Sequence, residues 1–314
     1  MKLSPEVEEY LKSVRSSDLH MPEMGVDGSR RLAREQEVQY AWDPGVNVGM
    51  REERVPVGGA SILVRVYSPP SAAVGPSLPI VVWIHGGGWV LGSVDSLDTD
   101  AMCRYLSATA ACVVVSVGYR LSPESKFPIP VEDCYVALNW AVGNAEALHG
   151  DPDRVAVAGD SAGGNLAAAT CLIARDRGGP AISLQVPIYP AMDSDTVTES
   201  YRLYGKGYGL DLEDMVWFWR QYLRTEEDEA DPYASPLRAK DLGGLPPAFI
   251  MTAGLDPLRD EGEAYGEKLR AAGVPTTVRR VEGVPHGFLT LPFGTKERAE
   301  LAAVLRKAFI RRAV

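Results

Sequence analysis

The sequence predicts an α/β fold, a mostly parallel central sheet flanked by helices on both faces. Three observations carry this. Residues 79–84 and 111–117 are near-continuous apolar runs rich in β-branched residues, the pattern of strands buried on both faces. Segments of helix length alternate with these and the later strand runs. The stretch Val157-Ala158-Gly159-Asp160-Ser161-Ala162-Gly163-Gly164-Asn165 reads as strand, sharp turn and helix, with a serine at the apex.

Composition sets the bounds. A chain of 314 residues, 46% hydrophobic, can bury a large core as one α/β domain or one domain with an insertion. The formal net charge of -10 argues against a nucleic-acid partner, which calls for a basic surface. The four cysteines, Cys103, Cys112, Cys134 and Cys171, form no C-x-x-C pair and lie in apolar or helical runs. Buried free thiols are therefore expected. No Cys or His pair has metal-ligand spacing, so no metal is implied. The N-terminus has no apolar signal core, and no segment is apolar for long enough to span a bilayer. The expectation is a soluble cytoplasmic protein without a membrane partner.

Residues 5–15 read as a short amphipathic helix and residues 30–39 as a second. Met21-Pro22-Glu23-Met24-Gly25 between them is expected to break any helix. The first 45 residues lack a strand pattern and read as a mobile helical arm that must pack on another part of the chain. Residues 50–55 and 60–67 read as strands joined by a hairpin turn at Pro56-Val57-Gly58-Gly59, and Pro69-Pro70-Ser71-Ala72-Ala73 as a loop. The strand at 79–84 runs into His85-Gly86-Gly87-Gly88-Trp89. A helix at 98–110 and the strand at 111–117 lead to Tyr119-Arg120-Leu121-Ser122-Pro123-Glu124. A long helix is expected at 130–148, with Pro130 suited to its first turn. The strand at 154–158, the serine turn and a helix at 163–177 follow, then a strand at 183–188 ended by Pro190.

Residues 191–232 interrupt the rhythm. They contain a helix at 212–223 bearing Met215, Trp217, Phe218, Trp219 and Tyr222. A loop before it holds Tyr204, Gly205, Gly207, Tyr208 and Gly209, and residues 226–231 form an acidic, solvated stretch. This reads as an insertion over the carboxyl edge of the sheet. The α/β rhythm resumes with a strand at 247–253, Gly254-Leu255-Asp256-Pro257, and a helix at 260–272 stopped by Gly273. A last strand at 276–281 leads to Gly283-Val284-Pro285-His286-Gly287-Phe288, and a helix at 296–311 closes the chain.

G-x-S-x-G at 159–163 is by itself compatible with a structural turn or with a nucleophile on a tight elbow. A serine hydroxyl needs a base to become reactive, usually an imidazole held by a carboxylate. Only His20, His85, His149 and His286 are available. His20 and His149 read as surface residues, and His85, before a glycine run, as architectural. His286, in a Gly/Pro-bounded loop after the final strand, is the best base by elimination. Asp256 follows a strand with Pro257 fixing the turn, and suits the carboxylate. Its rivals Asp260 and Glu261 begin a helix, where a capping or dipole role is expected. The glycine run at 86–88 lets backbone approach a ligand closely, so Gly87 and Gly88 are candidate oxyanion donors, with the Ala162 N–H as a third. The chain has neither G-x-x-x-x-G-K-[ST] nor G-x-G-x-x-G, which argues against a nucleotide cradle.

Taken together, these residues resemble the hormonesensitive-lipase-like (HSL) family of α/β-hydrolase esterases. The resemblance rests on His85-Gly86-Gly87-Gly88-Trp89, Tyr119-Arg120-Leu121-Ser122-Pro123-Glu124, Gly159-Asp160-Ser161-Ala162-Gly163-Gly164, Asp256-Pro257-Leu258-Arg259-Asp260-Glu261-Gly262 and Pro285-His286-Gly287-Phe288. Asp231-Pro232 with Ser235-Pro236 matches a further family element. The chain order Ser161, Asp256, His286 is that of the α/β-hydrolases. Ser122 stands where the family often has Ala. The retained base histidine separates the chain from the family's hormone-receptor relatives. The resemblance implies an α/β-hydrolase core at 46–190 and 233–314 with a helical cap built from 1–45 and 191–232. It further implies a serine carboxylesterase acting on a small-molecule ester with short- to medium-chain acyl groups, with no cofactor. Trp89, Asp160, Tyr189 and Tyr208 are expected to touch the substrate. Trp217, Phe218 and Trp219 are expected mainly to pack their own helix. The same residues would serve an amidase, lactonase or deacetylase, and a non-catalytic small-ligand receptor on this scaffold is the alternative of another class. A homodimer paired at a sheet edge is plausible on this scaffold.

Overall fold

The computed structural model describes residues 3–15, 21–70 and 77–310. His20, loop residues 71–73 and the end of the closing helix at 311 fall outside these residues. The helices are α1 (Pro5–Arg15), α2 (Met21–Gln39), α3 (Leu97–Ala110), α4 (Ile129–Gly143), α5 (Ala162–Asp176), α6 (Glu199–Tyr204), α7 (Leu212–Tyr222), α8 (Arg259–Ala271) and α9 (Thr295–Phe309). The strands are β1 (Gly49–Val57), β2 (Ala60–Ser68), β3 (Leu78–Ile84), β4 (Val113–Gly118), β5 (Gly150–Asp160), β6 (Leu184–Ile188), β7 (Ala248–Leu255) and β8 (Thr276–Pro285).

Among the described residues, eight strands form one sheet in the order β1-β2-β4-β3-β5-β6-β7-β8. The β1–β2 and β2–β4 pairs are antiparallel and the rest parallel. Val57 lies opposite Ala60, so Gly58 and Gly59 make a two-residue turn, both at positive φ (46° and 85°). Glycine adopts that conformation at little cost. In β3 the side chains alternate. Ile80, Val82 and Ile84 join the core under α4, α5 and α8, while Val81 and Trp83 join the core under α3 and α9. Burial on both faces explains the continuous apolar runs.

This order positions the site. From β3 the chain crosses to β4 on one side, then returns to β5 on the other. The loops after β3 and β5 therefore flank the point where the winding reverses, the usual ligand crevice of an open α/β sheet. Ile84 lies beside Gly159, so the glycine run and the serine turn leave the sheet at one level.

Several expectations need correction. Residues 21–24 are helical, with Pro22 in the first turn where no N–H partner is required, and the break expected at 21–25 falls at Gly25, whose non-helical backbone (φ 64°, ψ -175°) divides α2 in two. The long helix expected at 130–148 ends at Gly143. The Asn144 side chain donates to the Trp140 carbonyl at 2.8 Å, closing the helix in turns. Tyr204, expected in a loop, ends α6, whose start is capped by the Thr198 hydroxyl. The acidic stretch is a short 3₁₀ helix (Glu226–Ala230), and its Asp228 is buried, gripped by the Arg224 guanidinium at 2.7 and 3.0 Å.

The N-terminal arm is docked. Val7 and Leu11 of α1 bury against Leu255 with Tyr10, Tyr204, Tyr208 and Phe293 around them, and α2 packs against α7. All four cysteines are buried and free. Among the described residues, no helix is long and apolar enough to cross a membrane.

Candidate active site

Ser161 sits between β5 and α5 with φ 56° and ψ -121°, outside the usual basins for a residue with a Cβ. The turn closes only because its neighbours are glycines. A Cβ on Gly163 would collide with the Ile84 and His85 carbonyls, and one on Gly159 with the Gly163 carbonyl. The strained backbone is held by the Ser161 N–H, which donates to the Ile188 carbonyl at 2.8 Å.

His286, just beyond β8, brings Nε2 to 2.9 Å from Ser161 Oγ. Its Nδ1 lies 2.7 Å from Asp256 Oδ2. Asp256 is fully buried at the end of β7, and its other oxygen accepts the Leu258 N–H at 2.9 Å. A carboxylate can only accept, so Nδ1 carries the proton and Nε2 offers its lone pair to the serine hydroxyl. Tyr189, after β6, sets its ring edge-on to His286 (4.9 Å) and Phe288 (5.3 Å), which fixes the plane of the imidazole.

The rivals of Asp256 face elsewhere: both stand in the first turn of α8, as expected of helix-start carboxylates, though neither side chain caps it. Asp260 accepts the Ser200 N–H at 2.8 Å and pairs with Arg259. Glu261, buried, accepts the Met192 N–H at 2.8 Å, and burial holds its carboxyl well above the usual range. Both tie α8 to the segment after β6.

The glycine loop is held through its carbonyls. Gly86 O lies 2.8 Å from His85 Nδ1, and Gly87 O accepts from Val90 N–H (3.1 Å) and Leu91 N–H (2.8 Å). In a planar trans peptide the N–H points opposite to the carbonyl. The Gly87 and Gly88 N–H groups are therefore turned away from the loop's own hydrogen bonds. Burial lowers the His85 pKa to about 4, so the ring is neutral at neutral pH, with its Nδ1 proton given to Gly86 O. The ring stacks on Tyr119 at 4.3 Å, whose hydroxyl donates to His85 O at 3.0 Å. The architectural role read for His85 is thus that of a brace for these peptide planes.

The residues expected to touch substrate are placed differently. Trp89 (φ 61°) is fully buried, its indole lying flat on Tyr222 (4.4 Å, 4°) and against Trp219 (4.5 Å). Tyr189 is buried behind His286. Asp160 turns back to accept the Gly86 N–H at 3.0 Å, and burial, helped by the negative charge of Asp98, pushes its pKa up to about 7. Tyr208 stands under the Arg15 guanidinium (5.1 Å) and beside Tyr204 (5.2 Å), in the cluster that docks α1. Trp89 and Tyr189 are thus buried behind the glycine loop and the imidazole, while Asp160, partly exposed, ties the serine turn to the glycine loop. Phe218, expected mainly to pack its helix, is buried on the inward face of α7. Its ring occupies the space where a Gly88 Cβ would stand. The spacing of Met215, Phe218, Trp219 and Tyr222, all buried, is the helical signal for one inward face of α7.

This geometry has close counterparts. A family model for the alpha/beta hydrolase fold matches residues 81–290. The chain is 45% identical over 254 residues to the carboxylic ester hydrolase LipN of Mycobacterium tuberculosis, covering 79% of this chain and 66% of that protein. It is 42% identical to an arylesterase of Saccharolobus solfataricus, covering 82% of each. A hyperthermophilic esterase from the archaeon Pyrobaculum calidifontis superposes with a TM-score of 0.92 at 41% identity, covering 98% of this chain and 99% of the other. The model match spans the glycine loop, the serine elbow and His286, the motifs on which the resemblance rested. This chain belongs to the α/β-hydrolase fold family, among its hormonesensitive-lipase-like esterases.

Proposed function

We propose that the protein is a serine carboxylesterase whose reaction is carried by Ser161, His286 and Asp256. One observation carries the reading: the unbroken hydrogen-bonded line from Ser161 Oγ through the imidazole to the buried Asp256. Ser161 Oγ attacks the ester carbonyl as its proton passes to His286 Nε2. Asp256 keeps the imidazole in the required tautomer and stabilises the cation formed. The oxyanion is held by the Gly87, Gly88 and Ala162 N–H groups, the last at the positive end of α5. His286 then protonates the leaving alcohol, and water repeats the cycle on the acyl-enzyme.

The relatives named as esterases support the ester as substrate class, and the aromatic face of α7 over Gly88 supports acyl chains of short to medium length. In this reading residues 1–45 and 191–232 form the cap, and Trp89, Asp160 and Tyr189 position the machinery rather than touch substrate. A cytoplasmic location and a homodimer joined at the β1 or β8 edge complete the proposal; fractionation and light scattering test them.

The deciding experiment is hydrolysis of p-nitrophenyl esters from acetate to palmitate, with Ser161→Ala alongside. Turnover peaking at short or medium chains and lost in the variant is expected. A folded wild type that turns over none of them overturns the esterase reading and favours an amide, a lactone or a binding role.

A further inference from the structure

We propose that Arg30 is a positioning residue for this reaction, the clamp through which α2 holds the oxyanion loop in shape. The inference rests on the esterase reading above.

The loop needs holding. Gly87, Gly88 and Trp89 follow one another at positive φ (106°, 58° and 61°), and Trp89 carries a full indole in that conformation. Such backbone persists only where its surroundings over-determine it. On one side the Trp89 ring is gripped by Tyr222 and Trp219 of α7. On the other, packing is interrupted. A cavity of about 550 Å³ separates α2 from the loop, lined by Ala33, Arg34 and Glu37 on one wall and Leu91, Gly92 and Ser93 on the other.

Arg30 spans this seam. Its Nε donates to Val90 O at 3.1 Å and its Nη2 to Ser122 O at 3.1 Å. The Ser122 N–H in turn donates to Trp89 O at 2.9 Å. One guanidinium therefore fixes the loop directly at Val90 and, through Ser122, at Trp89. Glu124, largely exposed, accepts from the same fork at 2.7 and 2.8 Å, a surface pair on which the two carbonyl contacts do not depend. A planar five-donor group suits this task and an ammonium does not, since only the former can reach two carbonyls and a carboxylate in fixed directions. Arg30 lies on the N-terminal arm, so docking of that arm and the shape of the oxyanion loop are one event.

Arg30→Met and Arg30→Lys test this, with Glu124→Gln as the control that leaves both carbonyl contacts in place. With p-nitrophenyl butyrate, Arg30→Met should lower kcat about 10- to 100-fold, less than the ~100- to 1,000-fold that follows loss of a whole oxyanion donor. KM should stay within about threefold, because ground-state binding does not use the loop amides. An alkyl trifluoromethyl ketone supplies the second readout. Ser161 Oγ adds to its carbonyl carbon, the hydroxyl proton passes to His286, and the resulting oxyanion lies against the loop. Its Ki should weaken by the same factor as kcat, while the Ki of the matching ether, which forms no adduct, should not move. Arg30→Lys should fall between wild type and Arg30→Met in both readouts, and decides the matter if Arg30→Met does not fold. Glu124→Gln should stay within about threefold of wild type. Wild-type kcat and trifluoromethyl ketone Ki in folded Arg30→Met or Arg30→Lys overturns the clamp while leaving the esterase standing. So does a loss confined to thermal stability or to KM. A wild type that neither hydrolyses the ester nor binds the ketone overturns the esterase reading, and the clamp with it.

Discussion

At the scale of single residues, the site is a set of groups each confined to one orientation by a neighbour. Asp256 has no freedom, because one of its oxygens is occupied by the Leu258 N–H and the other by His286. Replacing it with Asn would keep the shape but offer an amide in place of an anion, so the imidazole would present the wrong tautomer to Ser161. Asp256→Asn is therefore expected to lower kcat by about 10⁴-fold with little change in folding, measured by ester hydrolysis beside circular dichroism. That Ser161, His286 and Asp256 meet was legible in the sequence, because strand, loop and chain order confined the choice to a few side chains. The orientation of the braces was not. Asp160, Trp89 and Tyr189 stand beside the right motifs, yet whether such a side chain faces substrate or turns inward depends on contacts from distant segments. Trp89 meets Tyr222 across 133 positions of chain, and nothing local to either records that pairing.

At the scale of elements, α7 packs directly on the glycine loop that follows β3. Its inward face lays Tyr222 and Trp219 on Trp89 and Phe218 over Gly88. Tyr222 also packs edge-on against Phe127 at 5.8 Å, and its N-terminal neighbours carry a capping box at Asp211 and Asp214. Tyr222→Ala would leave a cavity under the Trp89 indole. It should destabilise the fold by about 3–5 kcal/mol, the range for a large buried aromatic. Denaturant unfolding checks the magnitude, and a kcat that falls further than KM rises would tie the stack to the loop rather than to binding alone. Element boundaries were legible where apolar period and caps agreed, as for β3, β4 and α7. They were not legible at the start of α2, where Pro22 is compatible with a helix start, or at α6, a six-residue element too short to show a helical period and packed against α8.

At the scale of the whole molecule, the net charge of -10 conceals carboxyls that the fold removes from water. Burial raises Asp160 to about 7 and Asp98 to about 6, and lifts Glu261 well above its ordinary value. A carboxyl in an unfolded chain titrates near ~4. Between that value and the folded one, the native state holds more protons than the unfolded state. Stability from these groups is therefore fully present below about pH 4 and is lost as pH rises towards 7. His85 acts in the opposite sense. Its pKa is lowered to about 4, so stability from it is gained as pH rises from 4 to the ordinary imidazole value of ~6.5. The net curve mixes both signs, but a variant lacking one carboxyl shares every other group with wild type. Asp160→Asn keeps an oxygen for the Gly86 N–H and removes the charge. Its Tm relative to wild type should therefore rise by a few degrees between pH 5 and pH 8, where Asp160 is increasingly forced to ionise against Asp98. A Tm difference constant across that range would mean that Asp160 is already ionised at pH 5 in the folded protein, and that its pairing with Gly86 outweighs its burial.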